Sequence, residues 1–80
     1  MVVYVKKEAF EEILARKNLS YDDFAKKIDV SRQYIYLLKE PEKYDTSPSP
    51  ELREKILEVL GVEFDDIFFV QSVRFNGQKQ

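Results

Sequence analysis

The pattern of apolar and polar positions predicts a strand near the start of the chain and a helix after it. Residues 2–5, VVYV, are all β-branched or aromatic, which is typical of a strand. The next apolar residues recur at helical spacing, with Phe10, Ile13 and Leu14 on one side. Asn18 is expected to end this helix, because Asn tolerates the left-handed conformation that often follows a helix.

The central stretch, residues 19–38, contains two start signals for short helices. Ser20 and Ser31 are N-cap residues, whose hydroxyls accept a hydrogen bond from the first helical turn. In both cases an apolar residue precedes the cap and another lies four residues after it, which is the spacing of a hydrophobic staple. These signals predict one helix over residues 21–28 and a second one after Ser31. Because only residues 29–31 separate them, the helices must cross steeply, as in a helix-turn-helix.

The rest of the chain predicts a loop, two further helices and a late strand. The polar stretch of residues 39–50 holds three prolines and is predicted to be a loop. Ser49 and Pro50 are expected to begin a helix that Gly61 ends, and residues 63–67 to form one further helical turn. Residues 68–74 predict a strand with two largely apolar faces. One face can cover the helices, and the other is expected to need the N-terminal strand, a second subunit or both.

These elements predict an all-α fold, a five-helix helix-turn-helix domain with a small β element formed by the N- and C-terminal strands. We expect one domain over residues 1–80, with the helix-turn-helix at about residues 20–39 and a disordered tail at residues 76–80. A domain of 80 residues buries only about 60–65% of its unfolded surface, so a dimer partner would help it. No transmembrane segment or signal peptide is recognised, and a cytoplasmic location is expected.

The chain lacks the residues on which most catalytic and metal sites depend. It contains no cysteine and no histidine, which excludes disulfides, thiolate or histidine catalysis and the usual zinc or copper sites. Glu63, Asp65 and Asp66 form an acidic cluster, but their spacing does not suit a calcium loop and no glycine-rich phosphate loop accompanies them. A helical turn with acidic residues at its positive end explains this cluster. We therefore expect no enzyme, no metal and no cofactor.

The central stretch resembles the helix-turn-helix of the phage repressor and Cro-like family, also called XRE-type, whose members commonly read LSxxxLAxxxGVSxxxIxxxE. The matching residues are Leu19, Ser20, Phe24, Ala25, Val30, Ser31 and Ile35, and the Glu of the pattern has its counterpart one position later, at Glu40. Asp29 replaces the usual turn glycine, and Asp is one of the few residues tolerated at positive φ. Tyr21 replaces the frequent glutamine at the start of the first of the two helices. The resemblance covers roughly residues 10–68.

The resemblance implies a sequence-specific regulator of transcription that binds double-stranded DNA, from a bacterium, a phage or a mobile element, and that acts as a repressor. Such proteins usually bind inverted repeats as dimers, so a homodimer in the major groove is expected. One alternative is an antitoxin-like regulator whose C-terminal strand binds a small partner protein. A second alternative is a protein-interaction module that has lost DNA binding.

The distribution of charge is relevant to these alternatives. The net charge of −2 is unusual for a nucleic-acid-binding protein. However, residues 14–43 hold seven basic and five acidic side chains, whereas residues 44–80 hold four basic and seven acidic ones. The excess of positive charge therefore lies on and around the predicted helix-turn-helix. A solvated face of mixed charge is the other explanation.

The second helix of the motif is expected to enter the major groove with its N-terminal residues. The residues expected to read bases are Arg32, Gln33, Tyr36 and Leu37. Arg32 suits guanine and Gln33 suits adenine, in both cases through two hydrogen bonds, whereas Tyr36 and Leu37 suit thymine methyls or phosphates. The residues expected to contact the DNA backbone are Tyr21, Ser31, Tyr34, Lys39, Lys43, Tyr44, Thr46 and Ser47. The alternatives are packing on the neighbouring helix for Tyr34 and an ordinary long surface loop for residues 43–47.

Overall fold

Within residues 1–75, six helices lie between two short strands in chain order. The computed structural model describes these residues, and the predicted tail at residues 76–80 lies outside them. The elements are β1 (Val2–Val5), α1 (Lys7–Arg16), α2 (Tyr21–Lys27), α3 (Arg32–Leu38), α4 (Pro41–Tyr44), α5 (Pro50–Leu60), α6 (Phe64–Ile67) and β2 (Phe68–Gln71). The five predicted helices are all present. The sixth, α4, is a single turn within the predicted loop, and Pro41 begins it at the position where a missing N–H costs nothing.

Local capping explains where the helices of the motif begin and end. The Ser20 Oγ accepts a hydrogen bond from the Asp23 N–H at 3.0 Å, and the Ser31 Oγ accepts one from the Tyr34 N–H at 3.1 Å. Asp29 has a φ of 62°, so it takes the left-handed conformation that the turn between α2 and α3 requires. The predicted caps and the predicted role of Asp29 are therefore confirmed.

The helices pack around one apolar core that includes residues from every helix but α4. Its buried members are Val5, Phe10, Ile13, Leu14, Phe24, Ala25, Ile28, Ile35, Leu38, Ile56, Leu60, Ile67 and Phe68. α2 and α3 pack against each other, and Ala25 of α2 and Ile35 of α3 are both buried in this core. No helix among residues 1–75 has the length and apolar character needed to cross a membrane.

The two strands pair with each other in an antiparallel sheet. Val5 lies opposite Phe68 and Tyr4 lies opposite Phe69, so the N-terminal strand is the partner of the late strand. β2 ends at Gln71, three residues before the predicted boundary. Because side chains alternate along a strand, Val5 and Phe68 face the core while Tyr4 and Phe69 occupy the opposite face. Phe75 covers that second face, with its ring centroid 4.8 Å from that of Tyr4.

Asp45 connects the loop after α4 to both ends of the described chain. The Tyr4 hydroxyl donates to Asp45 Oδ1, and Arg74 Nε donates to Asp45 Oδ2 at 2.9 Å. A second Arg74 nitrogen, Nη2, donates to the Asp45 carbonyl oxygen at 3.1 Å, and the Phe75 N–H donates to the Tyr4 hydroxyl oxygen at 3.2 Å. These contacts fold the segment after β2 back over the sheet.

The contacts of Asp45 predict a pH-dependent contribution to stability. The hydrogen bond from Tyr4, followed by the one from Arg74, holds the pKa of Asp45 below its ordinary value. The contribution is therefore fully present above the unfolded pKa of about 4 and is lost as the pH falls through the lower folded pKa. We expect Asp45→Asn to lower the free energy of unfolding at about pH 7 and to have much less effect at about pH 2. Urea denaturation followed by circular dichroism measures both.

Asn is a suitable replacement because it tolerates positive φ, and Asp45 has a φ of 52°. Asn also still accepts the hydrogen bond from Tyr4 through its Oδ1, whereas its NH2 group cannot accept the one from Arg74 Nε, so the substitution removes the charge and that charged hydrogen bond together. Glu42→Gln, which removes an exposed carboxylate of α4, serves as the control and should show little pH-dependent difference. An Asp45→Asn effect of equal size at both pH values would show that the charge is not responsible.

Candidate nucleic-acid interface

One side of α3 is exposed and the other side is buried in the core. Ile35 and Leu38 are fully buried, which fixes the rotation of the helix about its axis. The four residues predicted to read bases therefore lie on the outer side of the helix. Arg32, Gln33 and Tyr36 are exposed there, and Leu37 is half-buried. The structure thus brings the predicted base-reading residues together on one accessible helix face.

Arg32 is held by an acidic residue of the preceding helix. Its Nη1 lies 3.2 Å from Asp22 Oδ2, and both side chains are more than half exposed. An exposed pair of this kind contributes only about 0–1 kcal/mol, so a DNA base or phosphate can replace Asp22 at little cost. Asp22 also offsets the unfavourable position of a positive charge at the start of a helix. The pair orients Arg32 without blocking it.

Tyr36 lies against the ring of Tyr21, the first residue of α2. The two ring centroids are 5.0 Å apart and the ring planes are nearly perpendicular at 88°. Tyr21 is half-buried and also stacks on Phe10, whereas Tyr36 remains 43% exposed. The Tyr21 hydroxyl lies 3.5 Å from Glu11 Oε2, and burial raises the pKa of Tyr21, so this hydroxyl stays protonated at neutral pH.

Lys39 is not exposed in this structure. Its side chain is largely covered, and its Nζ donates to Glu11 Oε2 at 3.2 Å and to Glu40 Oε2 at 3.4 Å. Burial opposes the charge, but the hydrogen bond to Glu11 and the neighbouring negative charges outweigh it, and the pKa of Lys39 is raised. The ammonium is therefore charged and already paired. The geometry does not support the predicted contact between Lys39 and the DNA backbone.

Ser31 and Tyr34 differ in what they can offer to a phosphate. The Ser31 oxygen accepts the capping hydrogen bond, but the residue is exposed and its hydroxyl hydrogen can still be donated. Tyr34 is half-buried and packs against the core, and burial raises its pKa. The structure therefore agrees with the packing alternative for Tyr34.

The stretch that follows α3 divides into an accessible part and an anchored part. Lys43 and Tyr44 are exposed on α4, and the Lys43 Nζ lies 5.3 Å from the centroid of the Tyr44 ring. Thr46 is half-buried, with its hydroxyl 3.5 Å from the Tyr44 carbonyl oxygen. The Ser47 hydroxyl donates to the Val3 carbonyl oxygen at 2.7 Å. Ser47 is thus used to hold the loop on β1, which does not support its predicted backbone contact.

Asp22 and Glu11 belong to this site but were not predicted from the sequence. Asp22 lies ten positions before Arg32, and Glu11 lies 28 positions before Lys39. Neither pair follows from a spacing rule within one helix, because Asp22 and Arg32 lie on α2 and α3, and Glu11 lies on α1 whereas Lys39 follows α3. The one available signal was the position of Asp22 in the first turn of α2, beside the start of the next helix.

Comparison with known proteins agrees with this geometry. A family model described as "Helix-turn-helix" matches residues 10–67, a range that includes α2 to α6 and leaves both strands outside. An uncharacterized HTH-type transcriptional regulator of Methanocaldococcus jannaschii is 46% identical over 58 residues, which cover 72% of this chain and 83% of that protein. Domains of this family act in transcription regulation and are typically not enzymes, as predicted. The chain therefore belongs to the XRE-type helix-turn-helix family of DNA-binding transcriptional regulators.

Proposed function

We propose that the protein is a sequence-specific repressor that reads double-stranded DNA with the exposed face of α3. The observation that carries this proposal is the grouping of Arg32, Gln33 and Tyr36 on the accessible side of a short helix whose other side is locked in the core. Residues in the first turns of such a helix reach base edges when the helix enters the major groove. Arg32 then binds guanine and Gln33 binds adenine, each through two hydrogen bonds, and Leu37 offers apolar contact.

In this proposal the contacts with the DNA backbone come from accessible groups just before and just after α3. The Ser31 hydroxyl lies at the start of α3, and Lys43 and Tyr44 lie on α4 just after its end. Contacts of this type fix the position of the protein on the duplex but carry no sequence information. We retain these three and leave out Lys39 and Ser47, whose polar groups are used within the fold.

Binding as a homodimer to an inverted repeat is part of the proposal. Two copies of α3 would then read half-sites about one helical turn, roughly 34 Å, apart. Occupation of such a site excludes other proteins from the same groove, which is sufficient for repression in the cytoplasm of a bacterium. The bacterial, phage or mobile-element source stays a prediction from the resemblance.

A protein partner is the second candidate, and it is favoured by the exposed apolar residues near β2. Val70 and Val73 are 46% and 49% exposed, and they lie close together in the chain. An antitoxin-like regulator would use this surface for its partner while α3 binds DNA. Co-purification of one small protein in a fixed ratio, lost on substitution of Val70 by a charged residue, would favour this candidate.

The salt dependence of binding tests the proposal. A preferred duplex is first selected from a random library, and its affinity is then measured at several salt concentrations. Each phosphate neutralised by a cation contributes about −0.9 to the slope of log affinity against log salt concentration. Because Arg32 is assigned to a base, Lys43 is the cation that neutralises a phosphate in each subunit, and we expect a slope of about −2 or steeper for the two subunits together. A flat dependence would contradict DNA binding through this face and favour the interaction-module alternative.

A further inference from the structure

Tyr21 of α2 packs against the inner side of the Tyr36 ring, the side that faces the rest of the protein. Tyr21 presents its ring edge-to-face with Tyr36, an arrangement that aromatic rings prefer. Tyr21 is supported in turn by Phe10, which is completely buried and whose ring centroid is 6.3 Å from its own. Tyr36 therefore rests on a stack that continues into the core, while 43% of its own surface faces outward.

Lys39 contacts the same two rings. Its ammonium lies 5.8 Å from the centroid of Tyr21 and 6.0 Å from that of Tyr36, which is within the range where a cation is attracted to an aromatic ring. The hydrogen bond from Lys39 to Glu11 holds the ammonium in place. The rings and the cation form a cluster, Tyr21–Tyr36–Lys39, in which only Tyr36 is exposed.

The hydroxyl group of Tyr21 is directed toward α1. Its nearest polar partner is the carboxylate of Glu11, at 3.5 Å from the hydroxyl oxygen. The hydroxyl donates to this carboxylate, which Lys39 neutralises, so its hydrogen is already used within the fold. The surroundings of Tyr21 therefore do not support its predicted contact with the DNA backbone.

We propose that Tyr21 is a positioning residue, which holds the Tyr36 ring so that it contacts the methyl group of one thymine in the major groove. This inference rests on the proposed function, because it requires α3 to enter the groove. Apolar contact is the means by which proteins recognise the thymine methyl. A ring that is already fixed in the free protein loses little rotational freedom on binding, so the contact adds to affinity. The Tyr21–Tyr36 pair thus sets a preference for thymine at one base pair of each half-site.

Replacement of thymine by deoxyuridine tests this contact, because it removes the methyl group and keeps the hydrogen-bonding groups. Each thymine of the selected duplex is replaced in turn, and the affinity of the full chain is measured. We expect one replacement per half-site to weaken binding about three- to fivefold, the effect of losing one buried methyl group. For Tyr36→Ala the same replacement should have no effect, since the contacting ring is absent.

Two variants of Tyr21 separate positioning from direct contact. Tyr21→Phe keeps the ring and removes only the hydroxyl, so it should retain the sensitivity to the methyl group. Tyr21→Leu keeps an apolar side chain in the space but removes the ring, so it should lose most of this sensitivity. Thermal melting followed by circular dichroism confirms that both variants are folded at the temperature of the binding measurement.

Each outcome has a defined meaning. If Tyr21→Phe weakened binding to all duplexes equally and reduced the salt slope, its hydroxyl would be a phosphate contact and the positioning role would be wrong. Sensitivity to the methyl group that survived in Tyr21→Leu would also overturn it. Selective binding of the parent with no methyl-sensitive thymine would overturn this inference alone. A parent that preferred no duplex would overturn the proposed function together with it.

Discussion

Replacing Phe68 with alanine is expected to lower the free energy of unfolding by about 3–5 kcal/mol. Phe68 is the first residue of β2, is 1% exposed and packs with Val5 of the opposite strand in the core. Its ring centroid also lies 5.2 Å from that of Phe64. Removal of the ring therefore leaves a cavity at the point where β2 joins the helices. In a domain whose total stability is about 5–15 kcal/mol, this loss is large.

Val70 provides a matched control on the same strand. It lies two residues after Phe68, on the same side of the strand, but it is 46% exposed. Val70→Ala should therefore cost about 1 kcal/mol or less. Urea denaturation of both variants, followed by circular dichroism, gives the two free energies. Equal losses would show that β2 is not anchored through Phe68. Ultracentrifugation of Val70→Ala also shows whether this exposed residue contributes to association.

Replacing Arg32 with alanine is expected to weaken binding to the preferred duplex by about 1–3 kcal/mol and to relax the preference at one base pair. Arg32 lies in the first turn of α3, and its weak exposed pair with Asp22 leaves the guanidinium available to a base. If Arg32 binds guanine as proposed, its removal takes away two directional hydrogen bonds and leaves a base edge unpaired. Repeated selection from a random library with the variant measures the change in preference.

Lys43→Ala is the control for general electrostatic attraction. Lys43 is exposed on α4, where we expect it to reach only the phosphate backbone. Its removal should weaken binding to all duplexes by similar factors and reduce the salt slope by about one unit per subunit. If Arg32→Ala left the ranking of selected sites unchanged, we would assign specificity to Tyr36, Leu37 and the loop that follows α3. Circular dichroism of both variants checks that neither change unfolds the protein.

Sequence reasoning located the helices of the motif because the signals for them are local. The caps at Ser20 and Ser31 act on backbone groups three residues away, and the turn at Asp29 depends on that residue alone. Ile35 and Leu38 are three residues apart, a spacing that places both on one side of a helix, and both are buried. The other side of the helix, which carries Arg32 and Gln33, is therefore the exposed one.

The environments of individual side chains could not be predicted in the same way. Lys39 follows directly after α3 and has the sequence context of an exposed lysine, yet Glu11 of α1 pairs with it and the tyrosine rings cover it. Asp45 looked like an ordinary loop residue, but its partners Tyr4 and Arg74 lie 41 and 29 positions away. Such contacts depend on how the helices and strands are arranged, and no local spacing rule contains that information.

The pairing of β1 with β2 affects when the protein can fold during its synthesis. β1 leaves the ribosome before all the helices, and its partner β2 leaves after them, so the sheet closes only once residue 71 has emerged. Contacts between neighbouring helices are local and can form earlier. Until the sheet closes, Tyr4 and Val5 lack the strand that covers them, and Phe68 is missing from the core. A nascent chain interrupted before β2 would therefore be a preferred substrate for chaperones and proteases.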